Sequence, residues 1–523
     1  MLGLALYVIA VCAVNFHSAQ WYTFDMYEDG QFARIAAEGK TLFPTDWLFG
    51  NQCYVIATPV VAALFYLLFH NTVLAMSFAS TLMLLLILLC FVWCCRPFCS
   101  RKSILAGVFC LAGGTLLGDS ASSCVDGMQI VYTMASFYAC YFLVFLIHLG
   151  VWMRLFGRKA LSAGPVVLAL FCSFCLGVQS AREMLVLNLP LLLISGALML
   201  AHADAGHGSF RFALGSLAAN GAGLLVNRLL PLNRAANISV AARSGGALTV
   251  WARLGESLSA LAEMTGLRYW HYSWKWKPLA LLAACLIALC VFCLVKGIRQ
   301  GRPLRPVFLA VLLCWLSLLS VLAAGVLLIR LRAIYFFVWF LLVPLSVVEL
   351  LETCSGPSAR LAISVFLLCC GILNACFSFY PDLHRYREQR PWMREIVTWL
   401  DERGVDTVYG DYQAPAIAAG SGDKLQYVPL FPRADAGPDE ALMEPYASPV
   451  SLALYETVDP ERSVLILSDS VYDEFSGYRY LREGTSEDYQ ARFQERFRLE
   501  KVFSSSTLTY YVFRFEGEDL FVR

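Results

Sequence analysis

The stretch Trp21-Tyr22-Thr23-Phe24-Asp25-Met26-Tyr27-Glu28-Asp29-Gly30-Gln31-Phe32-Ala33-Arg34-Ile35-Ala36 follows directly on a first apolar run and sets three carboxylates within five residues. Carboxylates are costly near hydrocarbon, so an acidic group at the mouth of a membrane bundle marks a candidate site. From Glu28 to Ala36 the apolar spacing predicts a short amphipathic helix, with the acidic pair at its N-terminus where the helix dipole favours negative charge. Capping that helix is the alternative role for Glu28 and Asp29.

Composition around this stretch fixes the class. Across 523 residues, 59% are hydrophobic and 15% charged, and the mean hydropathy is +0.62. These values describe a polytopic α-helical membrane protein. Of the 39 acidic residues, 26 follow Phe379. The chain thus divides into a membrane body, residues 1–379, and an acidic, water-soluble tail, residues 380–523. All 19 cysteines lie in the body, most inside apolar runs where cysteine acts as a small hydrophobe. Cys172-x-x-Cys175 has redox or zinc spacing, yet it sits in an apolar run without a nearby histidine, and membrane packing is the expected role. Cys94, Cys95 and Cys99 read the same way.

A span needs roughly 20 apolar residues. About eleven are predicted: 2–17, 72–95, 103–118, 128–150, 161–178, 184–202, 210–227, 278–295, 307–329, 333–351 and 360–379. The apolar segment Tyr54 to Phe69 is short and interrupted by Pro59. Counting it as a span would invert every later loop, so it is expected to be interfacial or re-entrant. With an inside N-terminus, 12 basic residues, among them Arg96, Arg101, Lys102, Arg158 and Arg305, face the inner side against Asp204, Glu349 and Glu352. That asymmetry follows the positive-inside rule. The tail then lies outside.

Further polar groups converge on the expected outer face: Asp119 and Asp126 in G-D-S-A-S-S-C-V-D-G-M-Q, Arg182 and Glu183 in Q-S-A-R-E-M, and Arg330 and Arg332 in L-I-R-L-R-A-I-Y. Outer arginines snorkel without any function, but arginines facing acids suit a phosphate, with the acids serving as a base or metal ligands. Asp46, beside Trp47, reads as an interfacial turn residue. The run Y-W-H-Y-S-W-K-W-K before Pro278 reads as an interfacial anchor, with a lipid headgroup or sugar contact as the alternative.

The stretch E-D-G-Q-F-A-R-I-A with Gly39, Pro44 and the apolar T-P-V-V-A-A-L-F-Y-L-L-F segment resembles the start of GT-C membrane glycosyltransferases, a group that includes protein O-mannosyltransferases and lipid A aminoarabinose transferases. The acidic pair stands as Glu28-Asp29 where those relatives have a D-E-x-x-Y-A-like motif, and Phe32 replaces the tyrosine. D-G-M-Q-I-V-Y-T-M-A is similar to the acidic motif of the second loop. R-A-I-Y-F-F-V-W-F-L-L-V-P-L is similar to the late arginine-tyrosine-proline segment, with Ile334 between Ala333 and Tyr335.

The resemblance implies a membrane glycosyltransferase, of bacterial plasma-membrane type, that uses a polyprenyl-phosphate sugar donor and an extracytoplasmic glycan, lipid or protein acceptor; nucleic acid is not an expected partner. Asp29 or Glu28 is then the base, Asp126 and Asp119 a second acidic pair able to take a divalent cation (Mg or Mn), and Arg330, Arg332 and Arg182 the phosphate partners. In the tail, P-W-M-R-E-I-V-T-W-L-D-E-R-G predicts an amphipathic helix ended by Gly404. T-V-Y-G-D, S-V-L-I-L-S-D and T-L-T-Y-Y-V-F-R-F predict strands of a small extracytoplasmic α/β domain. A transporter or flippase, or a non-catalytic membrane scaffold, is the alternative class.

Overall fold

The computed structural model describes residues 2–19, 22–45, 47–50, 52–115, 138–201, 203–232, 250–299, 305–411, 413–432, 442–445, 459–472, 486–505 and 508–515. Asp46, Asp119 and Asp126 lie outside the described residues. In chain order the helices of the body are α1 (Leu2–Phe16), α2 (Phe24–Gly39), α3 (Thr58–Phe69), α4 (Thr72–Cys95), α5 (Arg101–Phe109), α6 (Ala139–Phe156), α7 (Ala163–Gln179), α8 (Leu189–Ala201), α9 (Ala203–Leu229), α10 (Val250–Thr265), α11 (Lys277–Arg299), α12 (Pro306–Leu327), α13 (Trp339–Thr353) and α14 (Pro357–Asn374).

Seven helical stretches among the described residues are long and apolar enough to cross a membrane: Thr72–Cys95, Ala139–Phe156, Met184–Ala201, Trp274–Arg299, Pro306–Leu327, Ala333–Thr353 and Pro357–Phe377. Each overlaps an expected span, closely for six of them; Ala139–Phe156 overlaps the expected 128–150 from residue 139 on, residues 128–137 lying outside those described. The other four expected spans have a different form. α1 and α7 are helices of 15 and 17 residues. The stretch from Arg101 passes into a π-helical turn at Cys110–Gly114, where Gly113 takes a φ of +119°. α9 has 27 residues but a much more polar composition.

Residues expected at one side of the membrane meet one another. Glu352 accepts from Ser100 N at 2.8 Å, and Arg305 pairs with Glu349 at 3.4 Å. The loops carrying α2, the start of α4, the end of α7 and Arg182 assemble separately, at the other end of the bundle.

α3 begins at Thr58 with Pro59 in its first turn. The proline therefore opens this helix instead of interrupting it, a position where its missing N–H costs nothing. His70 closes α3 in the left-handed region with φ 48°, and the Asn71 side chain accepts from Leu74 N at 2.8 Å to start α4. α3 and α4 are thus a tight helical hairpin. α2 holds both flanks of α3: Tyr66 donates to Glu38 Oε1 at 3.1 Å, and Phe32 packs on Tyr54 with ring centroids 4.4 Å apart.

α14 runs through a π-helical turn at Ala375–Phe379 into α15 (Tyr380–Asp401). Gly404, with φ +66°, ends the following turn. Beyond it stand β1 (Thr407–Gly410), β2 (Gln426–Pro432), β3 (Met443–Pro445), β4 (Ser463–Ser468), β5 (Phe497–Ser504) and β6 (Thr509–Phe515). They form one sheet in the order β3-β2-β1-β4-β6-β5, with β1 parallel to β2 and β4 and the remaining pairs antiparallel. β4 is buried at every position, the pattern of a central strand.

The sheet domain is fastened to α2 and α4. Tyr427 N donates to Tyr27 Oη at 2.9 Å, and the two rings meet edge-on at 5.3 Å. Asp423, in a left-handed turn with φ 69°, accepts from Thr72 N at 2.5 Å and from the Thr72 hydroxyl. A carboxylate from the tail thereby satisfies an otherwise open N–H in the first turn of α4, where the helix dipole favours negative charge.

Candidate functional site

α2 carries the acidic cluster. Its N-cap is Thr23, so Glu28 and Asp29 lie one turn inside the helix and cap nothing. The helix starts four residues before the expected position, because Phe24, Met26 and Tyr27 also find buried partners. Glu28 is 1% exposed and Asp29 0%, an unusual state for carboxylates. Asp25 is half-buried one turn earlier.

Asp29 lies beside the Tyr54 hydroxyl, close enough for its charge to act on it. Glu28 Oε1 is buried with no hydrogen-bond partner among the described residues, as is Trp47 Nε1. Phe32 links the two neighbourhoods, lying 5.5 Å from Trp47 and 4.4 Å from Tyr54 between ring centroids. Burial holds the Glu28 carboxyl well above the usual carboxylate range, and the charges of Asp25 and Asp29 push it the same way. Burial beside Asp29 and Glu28 also raises the Tyr54 hydroxyl.

The segment leading from Gln52 to α3 joins this acidic helix to Arg182. Cys53 N donates to Gln179 O at 3.0 Å, and Val55 N and Ile56 N both donate to Gln179 Oε1 at 3.2 Å. Gln52 Oε1 accepts from Arg182 Nη1 at 3.2 Å and from Tyr141 Oη at 3.3 Å. Two positions on from Gln52, Tyr54 reaches Asp29. One short, pinned segment therefore holds the carboxylate side with one side chain and the guanidinium side with another.

Arg182 lies among three aromatic rings, 4.9 Å from Tyr138, 5.2 Å from Tyr141 and 5.3 Å from Tyr335. Among the described residues no carboxylate lies within ion-pair distance of it. It opens into a cavity of about 180 Å³ that is otherwise mainly apolar, lined by Leu185, Val186, Val321, Ile329 and Leu331 with Ser180 and Tyr335.

Arg330 and Arg332 are exposed on the loop before Trp339 and do not line this cavity, although their neighbours Ile329 and Leu331 do. Of the residues named from sequence, Glu28, Asp29 and Arg182 lie in this region, and Gln52, Tyr54, Tyr141 and Gln179, which join it, were not among those named. The only signal for these four was polar or hydroxyl side chains at the ends of apolar runs. Cys172 and Cys175 are buried in α7. Among the described residues no group of three or more histidine, cysteine or acidic side chains is placed to hold a metal. Comparison with protein-family models and with curated proteins finds no match to the chain.

Proposed function

We propose that the chain is a membrane glycosyltransferase of the GT-C type, moving a sugar from a polyprenyl-phosphate donor to an acceptor on the face that carries the sheet domain. The observation that carries this reading is Arg182: a half-buried cation without a carboxylate in reach among the described residues, opening into an apolar cavity and connected through Gln52-Cys53-Tyr54 to the carboxylates of α2. A lipid phosphate combines the two properties that this cavity matches, an anionic head and a hydrocarbon chain. Arg182 takes the phosphate by charge-assisted hydrogen bonds, and Leu185, Val186, Val321 and Leu331 line the path of the chain.

In the reaction the acceptor hydroxyl gives its proton to Asp29 or Glu28 while its oxygen bonds to the anomeric carbon. The bond from that carbon to the phosphate oxygen breaks, and the phosphate leaves with the electron pair. Positive charge fixed at the leaving group stabilises the negative charge that develops there. The raised Glu28 carboxyl suits a base working nearer neutral pH, since proton transfer is most effective when the two affinities approach each other. Arg330 and Arg332 extend the basic surface at the cavity rim. A divalent cation belongs to this scheme only through Asp119 and Asp126.

Binding of polyprenyl phosphate to the purified protein tests the reading. Arg182→Ala removes a charged hydrogen-bond donor, a loss of about 1.5–3 kcal/mol, so the affinity falls by roughly 10- to 150-fold. Equal binding by both proteins would remove Arg182 from the site.

A further inference from the structure

Glu183, next in sequence to Arg182, points the other way, into the bundle. It belongs to a polar cluster in which His148 on α6, Ser173 on α7, Asn188 ahead of α8, and Ser216 and Asn220 on α9 are all buried. The hydrogen bonds of this cluster fix its proton count. His148 Nδ1 stands 2.9 Å from the Val144 carbonyl. A carbonyl only accepts, so Nδ1 carries hydrogen. His148 Nε2 faces Ser173 Oγ at 2.9 Å, and the same oxygen faces Glu183 Oε1 at 2.9 Å.

An ionised carboxylate and a bare Nε2 are both acceptors, whereas Ser173 has one hydroxyl hydrogen. With the carboxylate ionised and the imidazole neutral, one of these two contacts would set acceptor against acceptor. Ser216 does not relieve this, because its hydroxyl, 2.8 Å from Ser173 Oγ, donates to Asn188 Oδ1 at 2.7 Å. Turning that hydroxyl towards Ser173 would still leave Ser173 a single hydrogen for two acceptors. One added proton resolves the conflict.

Placed on Glu183, the proton lets the carboxyl O–H donate to Ser173 Oγ and the Ser173 hydroxyl donate to His148 Nε2. Placed on His148, it reverses both bonds and leaves a carboxylate facing an imidazolium. The two arrangements interconvert by moving one hydrogen from carboxyl to hydroxyl oxygen and one from hydroxyl to imidazole nitrogen, so nothing is gained or lost. The second arrangement creates two ions in a dry interior, and the desolvation of both opposes their attraction across 4.0 Å. Asn220 Nδ2 donates to Glu183 Oε2 at 2.8 Å, which keeps that oxygen an acceptor and puts the carboxyl hydrogen on Oε1, towards Ser173. Among the described residues the other titratable groups close to the carboxyl are the thiols of Cys172 and Cys175.

We infer that Glu183, Ser173 and His148 form a proton-binding site within the membrane body, holding one proton on the Glu183 carboxyl with Ser173 as the bridge to His148. A consequence, which rests on the phosphate reading of Arg182, is that an uncharged Glu183 leaves the neighbouring guanidinium charge available to an anion.

Infrared difference spectra of the wild type against Glu183→Gln test the protonation itself, whether or not any phosphate binds. The expected result is loss of one deuterium-sensitive carbonyl band of an un-ionised carboxylic acid. Loss of a carboxylate band instead would overturn the inference. The nitrogen-15 spectrum of His148 in the wild-type protein, assigned against His148→Gln, gives an answer that needs no folded Glu183 variant. A neutral ring protonated at Nδ1 is expected, and an imidazolium pattern would overturn the placement of the proton. Failure of polyprenyl phosphate to bind the wild-type protein would count against the function proposed above and leave both spectra as predicted.

Discussion

Glu28 and Asp29 are neighbours in sequence and both are buried, Asp29 beside the Tyr54 hydroxyl and Glu28 with an Oε1 that has no hydrogen-bond partner among the described residues. The consequence for stability has a definite sign. The Glu28 carboxyl is raised in the folded state, so its contribution to stability is fully present below the unfolded value and is lost as pH rises through the folded one. Glu28→Gln cannot ionise. It should leave the melting temperature unchanged at acid pH and raise it relative to wild type on the alkaline side, as thermal unfolding across a pH series in detergent would show. A constant difference at all pH values would contradict the burial argument. The acids were legible in sequence because a carboxylate beside an apolar run stands out. Gln52, Tyr54 and Gln179 were not, since their partners lie more than 20 and up to 130 residues away and no local pattern encodes such pairings.

At the scale of elements, helical periodicity and apolar length located the long membrane helices, and punctuation located the tail helix that closes at Gly404. What sequence misjudged was Pro59, which was expected to break the segment it opens, and the start of α2, which tertiary burial draws back to Phe24. β2, β3 and β5 went unseen: Pro429 interrupts the apolar run of β2, β3 has only three residues, and the alternation of β5 is broken by an irregularity between Leu499 and Lys501. α3, with 12 residues, rises about 18 Å, well short of a hydrocarbon core of about 30 Å. Both of its flanks also touch α2. Cysteine-accessibility labelling should therefore reach residues at both ends of α3 from one side of the membrane, the side of the sheet domain. Labelling of the His70 and Asn71 end from the opposite side alone would show that α3 crosses.

For the whole molecule, the charge asymmetry of the sequence predicts which loops share a side, and the structure brings Ser100, Arg305, Glu349 and Glu352 together at one end of the bundle. Reporter fusions at Ser100 and Gly420 should accordingly report opposite sides of the membrane, with Gly420 outside; a shared side would sink the topology. The same arrangement explains why the sheet domain sits over the acidic helix. Asp423 caps α4 and Tyr427 rests on Tyr27, so the tail closes over the surface from which an acceptor would arrive. The central claim joins those roofed carboxylates to the Arg182 guanidinium proposed to take the phosphate, and the most direct measurement is a transfer assay on purified protein with a panel of polyprenyl-phosphate sugars. The account predicts turnover by the wild type with at least one donor, and a fall of about 100-fold to 10,000-fold in Asp29→Asn or Glu28→Gln with donor binding retained. Full activity in both carboxamide variants, or movement of the lipid without any glycosyl transfer, would contradict it.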